Sequence, residues 1–295
     1  VTVSDPDPED GPTEVRPEPA AEPTREQYYR RPLRLVGSAR DLWRSRELLL
    51  TLTEREIRAR YKQAVLGYAW AALNPLLLMV VFTIFFDRVA RVDTGGVPYP
   101  LFSYVALVPW TFFSQSVSLG GPILVSERDL ISKVAFPRET LPLSAIGVAA
   151  FHATMSLPAL FVLFALEGTA PELTSVWVPL LLAVQTLWTA GVVLIVSATL
   201  VYWRDLRQAL PALLQLGLFA TPVAYGLNAI PDWFLRPYTV LNPLVGIIDG
   251  YRRTVLYGEP PRGDLLLLAA LGAVVTAVGG YALFKRLEGG FADVA

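Results

Sequence analysis

Cysteine is absent from this 295-residue chain, histidine occurs once, and only three of its 25 basic residues are lysine. Without cysteine there is no disulfide, no thiolate nucleophile and no sulfur ligand for a metal, and nothing to indicate a redox compartment. No G-x-x-x-x-G-K-[ST] occurs, so the chain has no P-loop with which to cradle nucleotide phosphates. The G-x-S-x-G elbow of serine hydrolases is missing too. Charge is scarce: 17% of residues are charged and 53% hydrophobic, a balance that soluble domains seldom show. The single His152 lies in an apolar run after Phe151, with no clustered carboxylates beside it, and reads as a neutral side chain packed between helices. Asp232, Asp249 and Glu259 are scattered acids and read as solvated or capping groups.

Long apolar runs fill the space these absences leave. Six are long enough to cross about 30 Å of hydrocarbon at about 1.5 Å per residue. They run Leu66 to Phe86, Tyr99 to Gly121, Leu141 to Leu166, Val176 to Trp203, Ala209 to Leu227 and Leu265 to Phe284. The expectation is an all-α membrane protein with six transmembrane helices and no room for a sizeable soluble enzyme. Pro75, Pro109, Pro158, Pro211 and Pro222 fall within or near the spans and predict kinks rather than breaks.

Four regions follow. Residues 1–27 are rich in proline and acid and read as a disordered tail without the basic start and apolar run of a signal peptide. Residues 28–63 are basic; Trp43, Leu50, Ile57, Tyr61 and Ala64 fall on one side of a helical wheel, with Arg44, Thr51, Arg55, Arg58 and Lys62 on the other. Such a helix suits the headgroup layer. Residues 64–286 form the six-span domain and 287–295 a C-terminal tail. Eighteen Lys or Arg fall in segments on one side of this topology and six on the other, which places both termini in the cytoplasm.

Two connecting segments carry more pattern than a loop needs. In LVSERDLISKVAFPRETLPLS (residues 124–144), charged residues surround Leu130, Ile131, Val134 and Phe136, the mark of a short amphipathic helix. It could meet a soluble partner or pack on the chain's own basic helix. VLNPLVGIIDGYRRTVLYG (residues 240–258) is too short to span and too apolar for water, and reads as a re-entrant helix pair broken at Pro243. Aromatics gather towards the same side: Tyr99, Phe102, Tyr104, Trp110, Phe112 and Phe113, then Tyr225, Trp233, Phe234 and Tyr238. They suit an interfacial belt or a conduit in which sugars slide over ring faces.

Five stretches resemble the signature regions of type-two ABC exporter permeases for lipid-linked polysaccharides. They are RYKQAVLGYAWAALNPLLL (Arg60 to Leu78), ISKVAFPRETLPLS (Ile131 to Ser144), YWRDLRQALP (Tyr202 to Pro211), LNPLVGIIDGYRR (Leu241 to Arg253) and FKRLEGGFADV (Phe284 to Val294). The resemblance implies a homodimer joined to two ATP-binding cassette subunits that moves a polyprenyl-pyrophosphate glycan out across the bacterial cytoplasmic membrane. This chain would bind no cofactor, ATP and magnesium being held by the partner, and no nucleic acid. It further implies a coupling helix over Ser126, Glu127, Arg128, Asp129 and Lys133, and an interface helix from Asp41 to Gln63. Arg58, Arg60, Tyr61 and Lys62 would meet the pyrophosphate. Tyr104, Trp110, Phe113, Tyr225 and Trp233 would line the channel, and Asn242, Pro243, Asp249 and Tyr251 would belong to an external gate. Gly289 and Gly290 stand where many relatives have a proline and a basic residue. Two alternatives are a type-two ABC permease for drugs or lipids and a membrane-embedded polyprenyl-phosphate glycosyl- or phosphotransferase. The second would normally need clustered acids for a divalent metal, and this chain offers isolated ones.

Overall fold

A computed structural model describes residues 45–62, 67–133 and 136–291, and only the backbone at 88, 89, 132 and 133. The tail expected at 1–27, the first part of the basic helix including Trp43 and Arg44, the joint at Gln63 to Leu66, and residues 292–295 lie outside the described residues.

The described residues are helical, with no strand among them. Helix α1 spans Arg46–Tyr61, α2 Ala69–Phe82 with a wider-wound continuation over Thr83–Val89, and α3 Tyr99–Gly120. Two short helices follow, α4 (Ile123–Ser126) and α5 (Arg128–Lys133), then the 27-residue α6 (Thr140–Leu166). Next come α7 (Val178–Tyr202), α8 (Leu206–Phe219), α9 (Asp232–Leu241), α10 (Leu244–Leu256) and α11 (Gly263–Leu287).

Four helical stretches among the described residues are long and apolar enough to cross a membrane: Ala69–Asp87, Thr140–Leu166, Leu173–Tyr202 and Gly263–Gly290. The six-span expectation is thus met in part. Helix α3 is long enough but diluted by serine, threonine, glutamine and tyrosine, and its residues from Leu101 to Leu107 are all buried by neighbouring helices. A helix wrapped in protein does not have to match lipid. Helix α8 stops at Phe219, well short of the expected Leu227, and its 14 residues reach only about 21 Å.

The prolines divide accordingly. Pro75, Pro109, Pro158 and Pro211 sit inside continuous helices. Pro222 follows a true break, with residues 220–226 non-helical.

Helix α3 packs chiefly on α6 and also on α7, α2 and α10, while α7 packs most extensively on α11. That crossing is close because it is glycine on glycine. A Cβ on Gly191 would lie 2.5 Å from the Thr276 carbonyl, and one on Gly280 2.5 Å from the Gly191 carbonyl oxygen. Small residues let helices approach where lipid offers no hydrophobic drive to associate. On the outer side of α2, Leu77, Val80, Val81, Ile84 and Phe85 remain open, whereas Ala71, Pro75, Met79 and Phe82 face the core.

Candidate functional site

Three neighbourhoods hold the residues singled out by sequence. The first is an apolar cluster made by Leu52 of α1, Leu124 of α4, Ile131 of α5, Leu141 of α6, Leu194, Ala198 and Val201 of α7, and Phe284 and Phe291 at the C-terminal end of α11. The described part of the segment 124–144 therefore turns its apolar side onto the chain's own helices and leaves Ser126, Arg128 and Asp129 exposed; Val134 lies outside the described residues. Its helix is interrupted at Glu127, whose carboxylate accepts a hydrogen bond from Arg55 of α1 at 2.6 Å. Ser126 Oγ bonds back to the Pro122 carbonyl at 3.1 Å. Lys133 closes α5, and its side chain is outside the described residues.

Sequence reasoning passed over the ion pair beneath this cluster. Glu139, 1% exposed, accepts from Lys285 Nζ at 2.8 Å and from the Tyr281 hydroxyl at 3.3 Å. Lys285 also reaches Glu288 at 2.9 Å, and Arg138 donates to the Glu288 carbonyl at 2.7 Å. The Tyr202 hydroxyl donates to the Leu287 carbonyl at 2.8 Å. The C-terminal end of α11, expected as the start of a tail, is folded against α6 and α7.

The second neighbourhood is the α1–α2 joint. Helix α1 runs beside α6: Thr53 Oγ1 bonds the Ser144 carbonyl at 3.2 Å, and Tyr61 meets Phe151 and His152. The face turned inward is Leu52 and Thr53. Leu50, placed by the helical wheel on the apolar side with Tyr61, is 64% exposed. The wheel fails here because α6 takes up a narrow stripe of α1, leaving Leu50 outside it. Arg58 and Arg60 are engaged one turn back, with Glu54 at 2.5 Å and Glu56 at 2.9 Å, and Lys62 is exposed. His152 is packed between helices as expected, and its Nδ1 bonds Gln115 Oε1 of α3.

The third neighbourhood is the elbow between α9 and α10. Asn242 leaves the helical conformation; its Oδ1 accepts from the Leu244 amide at 3.2 Å, and its Nδ2 donates to Thr221 Oγ1 at 2.8 Å. Pro243 follows as the N-cap of α10. The elbow thereby binds the non-helical residues after α8. Arg252, 3% exposed, completes the binding: its guanidinium donates to the carbonyls of Pro222 (2.7 Å), Val223 (2.6 Å), Tyr225 (2.8 Å) and Phe102 (3.2 Å) and lies 3.6 Å over the Phe102 ring. Tyr99 OH takes the Ala224 carbonyl at 2.8 Å, and Tyr238 OH takes that of Ala220. Non-helical backbone survives at membrane depth only when protein satisfies it, and here each carbonyl from Ala220 to Tyr225 except that of Thr221 has a side-chain donor.

From sequence Arg252 is one of the six basic residues assigned to segments on the less basic side of the topology. That role is corrected: it is a buried clamp. A signal did exist, because Val245, Ile248, Arg252 and Val255 share one helical face, and a charge on an apolar stripe must have buried partners. Tyr251 is buried and donates to Gln185 Oε1 at 3.1 Å, while Gln185 donates to the Pro109 carbonyl at 2.7 Å. Asp249 Oδ2 is buried without a hydrogen-bond partner, in the field of Arg253, Arg262 and Arg252.

The five aromatics expected to line a channel separate into two sets. Tyr104 is fully buried with its hydroxyl on the Ser156 carbonyl at 3.1 Å, and Trp110 and Phe113 are 5% and 7% exposed. These three are core residues, because α6, α7 and α8 close over them. Tyr225 is partly open and bonded to Tyr238 at 3.3 Å. Trp233 is 78% exposed at the lip of a cleft of about 560 Å³ that Asp232, Arg236, Arg262 and Asp264 also line.

A profile described as ABC-2 type transporter matches residues 47–256, from the first turn of α1 to the end of α10. The chain belongs to the ABC-2 type transporter family. Among curated relatives of this ABC-2 protein, an O-antigen export system permease protein RfbA of Myxococcus xanthus is 34% identical over 260 residues, 88% of this chain and 99% of that protein. An RfbA of Klebsiella pneumoniae is 30% identical over 249 residues, covering 84% and 95%. The polysialic acid transport protein KpsM of Escherichia coli is 25% identical over 244 residues, covering 79% and 91%. All three neighbourhoods draw on the matched range, and α11 joins the first from outside it. This ABC-2 chain is a multi-pass membrane permease.

Proposed function

We propose that the protein is the permease half of an ATP-driven exporter that carries polyprenyl-pyrophosphate-linked polysaccharide from the cytoplasmic to the external side of a bacterial cytoplasmic membrane. The observation that carries this reading is the match over almost the whole length of an O-antigen export permease. In the proposed assembly two copies pair with two ATP-binding cassette subunits, which hold ATP and magnesium; this chain holds neither. Both termini are cytoplasmic, and α9 and α10 form the external gate with Asn242 and Pro243 at its elbow and Asp249 and Tyr251 on its inner helix.

The exposed Ser126, Arg128 and Asp129, with Glu127 and Lys133, form the seat for the ATPase. Beneath them the shared apolar cluster passes displacement to α1, α6, α7 and α11, since a packed core moves as a unit. Arg58, Arg60, Tyr61 and Lys62 receive the pyrophosphate. The exposed pairs with Glu54 and Glu56 are each worth less than about 1 kcal/mol, so a pyrophosphate can replace those carboxylates on the guanidinium groups. Tyr225 and Trp233 offer ring faces to passing sugars, and Tyr104, Trp110 and Phe113 back that wall until the protomers move.

The test is reconstitution of the permease in vesicles with an ATP-binding cassette subunit from the same organism. ATP-dependent appearance of lipid-linked glycan on the far side, lost when either subunit is omitted, is the expected result. Glycosyl or phosphoryl transfer by this chain alone would overturn the reading, as would ATPase stimulation by drugs or simple lipids and not by lipid-linked glycan.

A further inference from the structure

His152 is 8% exposed, and its Nε2 has no hydrogen-bond partner although it is buried. Leaving such an atom unpaired is costly, so a ligand that satisfies it gains what the free protein lacks. The other ring nitrogen fixes what kind of ligand. Nδ1 is bonded to Gln115 Oε1, an acceptor, and so must carry the hydrogen. Nε2 of the neutral ring is then a bare acceptor, which suits a hydroxyl and not a phosphate oxygen.

Two rings flank this imidazole and a third packs on both of them. Tyr61 meets the imidazole edge-on at 5.8 Å between centroids, and Phe151 lies 6.1 Å away. Tyr68, 49% exposed, covers both, at 4.6 Å from Tyr61 and 5.4 Å from Phe151. Arg60 is close enough to act electrostatically on the imidazole. A hydroxyl acceptor walled by aromatic faces beside a guanidinium has the chemistry of a sugar subsite next to a phosphate.

We propose that Tyr61, Tyr68, Phe151 and His152 form a subsite that reads the first sugar of the lipid-linked glycan, with His152 Nε2 accepting one of its hydroxyls; this rests on the transport reading above. The pyranose replaces the outermost ring, Tyr68, against Tyr61 and Phe151, its C–H face on an aromatic face and its hydroxyl towards Nε2. Gln115 is the positioning residue that holds the tautomer. The pyrophosphate remains with Arg58, Arg60, Lys62 and the Tyr61 hydroxyl, while the Tyr61 ring faces the sugar.

Binding is measured on the permease–ATPase complex in nanodiscs with two probes, undecaprenyl pyrophosphate and the same lipid bearing one N-acetylglucosamine. His152→Asn keeps a group at the Nδ1 position for Gln115 but removes the acceptor at Nε2, and His152→Gln returns an oxygen near Nε2. The Asn variant is expected to lose about fivefold to tenfold in affinity for the sugar-bearing probe, with less than about twofold change for the bare lipid, and the Gln variant to recover most of the loss. Equal loss on both probes would overturn the proposal in favour of a packing role, and no loss on the sugar-bearing probe would overturn it outright. Failure of the unaltered complex to bind either probe would instead remove the transport reading on which the proposal stands.

Discussion

The two ends of the helical body are held by different forces. At the α1 end, side chains from α1, α4, α5, α6, α7 and α11 meet in an apolar cluster, and most of the charges above it are exposed. At the elbow end, Arg252, Tyr99, Tyr238 and Asn242 gather the carbonyls of a broken backbone. Apolar contacts are non-directional and tolerate small sliding, whereas hydrogen bonds weaken steeply when bent. The α1 end can slide by small amounts, whereas the elbow end holds its form until several bonds release together. Such an arrangement suits a machine driven from one side and gated on the other.

Breaking the elbow end should have the largest effect. Arg252→Met removes four hydrogen bonds and strands their carbonyls, with an expected loss of about 3–5 kcal/mol of stability, enough to abolish a monodisperse peak in detergent. Arg252→Lys should fare little better, because three donors on a point charge cannot reproduce the planar fork. Normal thermal unfolding of either variant would show that the clamp is dispensable.

Second in size is the buried pair at the α1 end. Lys285→Met alone should lower stability by about 2–4 kcal/mol in thermal melts, since it leaves the buried Glu139 carboxylate uncompensated, and Glu139→Gln should cost less because Lys285 keeps its pair with Glu288. The double change Glu139→Leu with Lys285→Met should recover much of that loss, because apolar contacts already dominate this end. A double variant as unstable as the sum of the singles would mean that the α1 end, too, depends on directional bonds.

Tyr99→Phe sharpens the contrast at a smaller scale. It deletes one donor, to the Ala224 carbonyl, and should cost about 1–2 kcal/mol by thermal unfolding without loss of the fold. If it cost as much as Arg252→Met, the bonds at the elbow would be acting as one cooperative network.

What the sequence disclosed follows the same division. The segment 124–144 was legible as amphipathic because its apolar and charged residues recur at helical spacing, but its division at Glu127 into two short helices was not. The elbow at Asn242–Pro243 was legible from proline chemistry. Pro222 was misread as a kink: whether a proline bends or ends a helix depends on who collects the freed carbonyls, and Tyr99, Tyr238, Asn242 and Arg252 arrive from distant positions. The pairing of His152 with Gln115, and of Glu139 with Lys285, was likewise hidden, since each joins helices whose approach no local pattern encodes. Trp110 and Trp233 look alike in sequence and part company only when α8 is seen to pass over one of them.

The smallest effect on stability should come with a large effect on work. Arg55→Ala breaks an ion pair whose side chains are 49% and 30% exposed, so it should change stability by less than about 1 kcal/mol. Yet Arg55–Glu127 is a direct polar tie between α1 and the segment proposed to seat the ATPase. Its loss should leave the assembled complex intact while ATP hydrolysis proceeds with less glycan exported per ATP, measured in vesicles. Arg55→Glu, which sets two carboxylates face to face, should worsen the uncoupling, and pairing it with Glu127→Arg should restore it. Unchanged export in Arg55→Glu would mean that motion at the α1 end is carried by the apolar cluster alone, and the ion pair would then be a passenger on a surface held together by Leu52, Leu124 and Ile131.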